Sequence, residues 1–95
     1  PLGGRLGTAE TRELRITMPE DLDYCTAFND LFERYTLSHN LTRAKTTNMG
    51  SLYQVRYEIT LRDPLQEKQF LDEIRTRNGN LTVQCGLPVN VRESL

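Results

Sequence analysis

Residues 13–35, ELRITMPEDLDYCTAFNDLFERY, change their apolar period halfway, and that change decides the fold. Up to Met18 the period is two: Leu14, Ile16 and Met18 alternate with Glu13, Arg15 and Thr17, as a strand with one dry face requires. Beyond Pro19 the period is helical. Leu22, Cys25, Phe28, Leu31, Phe32 and Tyr35 recur at three- and four-residue steps, with Asp23, Asn29, Asp30, Glu33 and Arg34 off the stripe. The spacing predicts one helix opening at Glu20 and Asp21, with Asp21 as its cap, where negative side chains suit the positive end of the dipole. The aromatic members of the stripe read as core, because a helix laid on a sheet must bury such a face.

The same succession returns later in the chain. Residues 37–47 are polar and Thr-rich, with Arg43 and Lys45, as suits a strand at a sheet edge where cations discourage further pairing. Thr47-Asn48-Met49-Gly50 is a turn, since Asn and Gly accept the left-handed conformations a hairpin needs. Tyr53, Val55, Tyr57, Ile59 and Leu61 then face inward, and Gln54, Arg56, Glu58 and Thr60 outward. Asp63-Pro64 opens a second helix with a cap and a first-turn proline, and Gln66 stands at a capping-box position. Its buried stripe is Glu67, Phe70, Leu71 and Ile74, helped by Leu65, and Asn78-Gly79 closes it. Leu81, Val83 and Cys85 alternate with Thr82 and Gln84 in a fourth strand.

Strand, helix, strand, strand, helix, strand is the split βαβ order: an α+β, ferredoxin-like sandwich with a four-stranded antiparallel sheet and both helices on one face. Residues 12–86 form this domain. Residues 1–11 hold three of the six glycines and read as a linker or an appended remnant. Residues 87–95 form a tail in which Val89 and Val91 suggest an extra edge strand, against Pro88.

Ninety-five residues suit one small core. Twelve Lys and Arg stand against thirteen Asp and Glu, for a formal charge of −1 and a pI near 5.8, which argues against nucleic acid, where affinity leans on clustered cations. No apolar run approaches the ~20 residues of a membrane span, and no signal peptide is evident, so these residues read as soluble. Cys25 and Cys85 occupy apolar positions and read as two buried free thiols in a reducing compartment, too few for a disulfide framework. In such a compartment the sequons Asn40-Leu41-Thr42 and Asn80-Leu81-Thr82 are idle.

The stretches ELRITMPEDLDY, RAKTTNMGSLYQVRYEITLRDP and FLDEIRTRNGNLTV resemble the C-terminal domain of an uncharacterised family of bacterial polytopic membrane proteins. Some members of that family are encoded beside polyphosphate polymerases of the vacuolar-transporter-chaperone type. The resemblance covers Glu13 to Val83, and KTTNMGS and RNGNL are its most specific runs. It implies membrane helices preceding Pro1 in a longer protein, a location at the cytoplasmic face of the inner membrane, and a shape similar to small-molecule-sensing ACT domains. It supplies no chemistry.

Strand order places three polar loops at one end of the sheet: Pro19 to Asp21, Thr46 to Ser51, and Arg75 to Asn80. Thr46, Thr47, Asn48, Arg75, Arg77, Asn78 and Asn80 gather there as a candidate rim for a small polar ligand. Turn and cap chemistry accounts for the same Asn and Gly residues without any ligand.

Nothing in the sequence signals an enzyme, a metal site or a cofactor. The lone His39 lies in a polar segment, and no titratable pair is positioned for acid–base work. The acidic loop Met18-Pro19-Glu20-Asp21 lacks the Gly-rich, Arg-bearing phosphate loop of acylphosphatases, which share this topology. The outward set of the third strand offers no aromatic platform for RNA bases. The sequence therefore points to a non-enzymatic sensor or regulatory domain, or to a purely structural oligomerisation domain. A homodimer is expected through the fourth strand, whose Leu81, Val83 and Val89 make it the more apolar edge, or through the sheet face beside it at Thr82, Gln84 and Arg15.

Overall fold

The computed structural model describes residues 11–47 and 50–87. Four strands, β1 (Thr11–Pro19), β2 (Thr36–Thr47), β3 (Leu52–Leu61) and β4 (Val83–Gly86), form one antiparallel sheet in the order β2-β3-β1-β4. Between β1 and β2 lie α1 (Tyr24–Ala27) and α2 (Asn29–Tyr35); between β3 and β4 lie a 3₁₀ turn (Pro64–Gln66) and α3 (Glu67–Arg75). This is the split βαβ order with the two outer strands at the edges, as the alternating periods predict.

Parity decides which face is dry. Leu14, Ile16 and Met18 of β1 and Val55, Tyr57, Ile59 and Leu61 of β3 are buried, and their odd-numbered or even-numbered neighbours are not. Phe28 at the α1–α2 junction and Leu31, Phe32 and Tyr35 of α2 cover them, as do Phe70 and Ile74 of α3. Aromatic contacts bind the two layers, with Phe32 lying 4.7 Å from Tyr57 and 6.1 Å from Phe70 between ring centroids.

The first helix departs from the pattern. It begins at Tyr24 rather than at Asp21, because Asp23 takes the cap position and accepts a 3.0 Å hydrogen bond from the Cys25 amide. It then breaks at Phe28 (φ −119°, ψ 8°) into two segments. The break turns Cys25 outward, so that thiol is exposed, and Cys85 is only half-buried.

Further differences are local. Leu65 is 92% exposed, since it sits in the 3₁₀ turn instead of on the helix, and Gln66 makes no side-chain cap bond. Asp63 does cap that turn, accepting from the Leu65 amide at 3.0 Å. Leu81 precedes β4, which opens at Val83, although Thr82 still accepts a hydrogen bond from the Thr17 amide. Thr11 belongs to β1 and not to the leading linker. The strand suggested beyond Pro88 and the tip Asn48-Met49 lie outside the described residues.

Strand β2 is long and irregular. Register shifts fall between Thr36 and Ser38 and between Leu41 and Arg43, as extra residues bulge from the ladder. His39 pairs with Ile59 and so shares the helix-side face, where its ring stacks on Phe32 at 4.4 Å. It remains exposed, but not isolated. Among the described residues no helix is long and apolar enough to cross a membrane.

Candidate functional site

The three loops do meet at one end of the sheet. Pro19 closes β1 opposite Leu52, and Thr47 closes β2 opposite the same residue. Behind Pro19 runs the turn from Thr76 to Asn80, close enough that a Cβ on Gly79 would lie 3.7 Å from the Pro19 ring. Gly79 (φ +75°) and Asn80 (φ 62°) take left-handed conformations there, which glycine and asparagine tolerate best.

The turn's side chains divide into two groups. Asn78 is wholly buried and its amide donates to the carbonyls of Thr17 at 2.7 Å and Leu81 at 3.2 Å. Its Oδ1 has no hydrogen-bond partner among the described residues. Asn78 therefore pins the turn to β1 and cannot present itself at the surface. Arg77 is likewise engaged: it donates to the Ala27 carbonyl at 3.1 Å and, through Nη2, to Asp30 at 2.8 Å. The guanidinium's hydrogen bonds, offset in part by desolvation, draw the Asp30 carboxyl down to about 2. These two residues hold the site's frame.

Arg75 and Asn80 form the accessible part. With Asp72, Thr76 and Gly79 they line an open cleft of about 480 Å³. Arg75 donates to Asp72 at 3.0 Å, and Lys68 reaches the other oxygen of that carboxylate at 2.9 Å. The Lys68 hydrogen bond is the chief cause of the lowered Asp72 pKa, with Arg75 adding to it. Lys68 lies outside the cleft, and its bond to Asp72 leaves the Arg75 guanidinium sharing that carboxylate, with donors to spare for a small anion or a polar carbonyl group.

Thr46 and Thr47 end β2 on the far side of β3, opposite Tyr53 and Leu52. They share the end of the sheet with the cleft but do not line it. Asn48 lies outside the described residues. Asp72, Thr76 and the Asp30–Arg77 tie escaped the sequence reading. Asp72 was legible in principle, since it stands four residues after Lys68 and three before Arg75 on one helix. The Asp30–Arg77 pair spans 47 positions and leaves no local signal.

No group of three or more His, Cys, Asp or Glu suited to a metal ion occurs among the described residues. The exposed Cys25 lies near Tyr24 and Tyr57, and Tyr24 stacks on Tyr53 at 5.4 Å.

No protein-family model matches this chain, and no curated protein matches it. Among solved structures it is similar to a formyltetrahydrofolate deformylase from Pseudomonas putida KT2440, with a TM-score of 0.59 and 16% identity. The likeness covers 82% of this chain but spans only 29% of the deformylase. At that identity the likeness bears on the fold alone.

Proposed function

We propose that this is a non-enzymatic regulatory domain that binds a small anionic or polar ligand at the Arg75–Asn80 cleft. The observation that carries the reading is the division of labour in one turn. Asn78 and Arg77 fix the backbone, and the adjacent Arg75 and Asn80 stand at an open cleft. A binding surface on a loop held by a rigid scaffold is the usual way such domains recognise ligands. On the sequence resemblance, the domain lies on the cytoplasmic face of a bacterial membrane protein and reports to its membrane-embedded part. It acts as a homodimer, since a core this small gains from self-association.

A second reading has its own support. Two of the rim's polar residues are consumed by intramolecular bonds, as expected of a purely structural oligomerisation domain.

Thermal shift of the chain against inorganic phosphate, nucleotides, amino acids and divalent ions separates the two. A ligand at a hundred times its dissociation constant adds about 2.7 kcal/mol of stability. Arg75→Ala and Asn80→Gly should abolish that shift while leaving the unliganded melt nearly unchanged. No shift with any of these compounds would leave the structural reading standing.

A further inference from the structure

The open face of the sheet carries its charges in rows. Across β1 and β3, Glu13 stands opposite Glu58 and Arg15 opposite Arg56, and β2 extends the rows with Asn40 and Arg43. Like charges directly opposite each other repel, so a monomer gains nothing from this register. Glu13 relieves part of the conflict by pairing with Arg56 at 3.2 Å and Arg15 at 3.4 Å. Glu58 and Arg43 are exposed and take no ion-pair partner among the described residues. The helices cover the opposite face of the sheet.

Adjacent rows lie two residues apart along the strands, roughly 7 Å. A second copy laid on this face, about a two-fold axis running along the rows and between them, sets each carboxylate row over a guanidinium row. Glu58 then meets Arg56, Glu13 meets Arg15, and Asn40 meets Arg43, while the row bearing Lys45 falls on the neutral row of Thr60. A two-fold axis along the strands would stack guanidinium on guanidinium. The charge pattern thus admits one arrangement and rejects the other, and the admitted one keeps the strands of both sheets aligned, a normal sheet-on-sheet geometry. We propose that the domain pairs face to face with a second copy of itself through this sheet surface, with Glu58 of each copy on Arg56 of the other. The inference rests on the homodimer reading above and assigns it to the sheet face rather than to the β4 edge, a strand of four residues among those described.

Light scattering of the chain tests this at about 0.1 M and about 1 M salt, where the screening length falls from about 10 Å to about 3 Å. The wild-type chain should be a dimer in low salt, with a dissociation constant at least tenfold weaker in high salt. Glu58→Arg should be a folded monomer, because Glu58 takes no ion-pair partner among the described residues. Arg56→Glu should also be monomeric, and an equimolar mixture of the two variants should recover the dimer. Should Arg56→Glu fail to fold without its bond to Glu13, Glu58→Gln serves instead, giving a dimer weaker than wild type but stronger than Glu58→Arg. Leu81→Lys, just before β4, should leave the dimer's dissociation constant unchanged. A dimer indifferent to Glu58→Arg overturns the sheet-face assignment and keeps the homodimer. A monomeric wild type overturns both, and leaves ligand binding to be judged by the thermal shifts.

Discussion

Single side chains in this domain do one of two jobs, and burial separates them. Phe28 is fully enclosed between α2 and the sheet, so Phe28→Ala should destabilise by about 3–5 kcal/mol, read as the urea midpoint. Gln54→Ala, on the open face, should stay within about 0.5 kcal/mol. The opposite ranking would invert the assignment of strand faces. Two weak acids, one buried and one half-buried, give a second expectation. Burial pushes both the Tyr57 phenol and the Cys85 thiol up to about 12, from 10.0 and 9.0. Each keeps its proton longer in the folded chain than in the unfolded one, so its stabilisation is complete below pH 9 and is lost as pH rises toward 12. Cys85→Ala should flatten the alkaline limb of the stability curve, and an unchanged limb would assign the loss elsewhere. At this scale the sequence was legible where parity governs, as at Leu14 and Val55. It was misleading at Cys25, an apolar residue on an apolar stripe whose helix breaks three residues later.

Elements were legible to the degree that their own sequence stabilises them. Strand β3 alternates without interruption and its inward residues from Val55 to Leu61 are buried as expected. The first helix was misread because Leu22, Cys25 and Phe28 keep one period across a change of segment, and a periodic pattern cannot report a single residue that leaves the helix. What steadies the shorter segment is tertiary. Arg77 reaches from the end of α3 to the Ala27 carbonyl and to Asp30, clamping α1 and the start of α2 to the turn after α3. Because Asp30 is ionised in the folded chain down to about 2, that bond contributes above the ordinary carboxylate range and fades as pH falls toward 2. Arg77→Ala should therefore lower the urea midpoint at pH 7 and have little effect at pH 2. An equal drop at both would mean that Asp30 is not the partner that matters. The rim was half legible for the same reason: strand order brought the loops together, but which arginine was already spoken for depended on a residue in another element.

The molecule as a whole measures 47 × 29 × 19 Å. The order of its strands in the sheet differs from their order in the chain, and this sets a sequence of events in time. β2 and β3 are neighbours in both senses and close a short loop, whereas β1 must wait for β3 and then, from the chain's far end, for β4. Loop-closure entropy makes the last of these the slowest to be rewarded. β4 should thus be absent from the folding transition state. Val83→Ala, which trims the buried contact beside Ile16, should speed unfolding in stopped-flow measurements and leave the folding rate almost untouched. Val55→Ala, in the strand that pairs with both β1 and β2, should slow folding instead. On a ribosome the first strand would emerge long before its second partner exists, so for much of its synthesis the chain waits with one flank of its central strand unpaired.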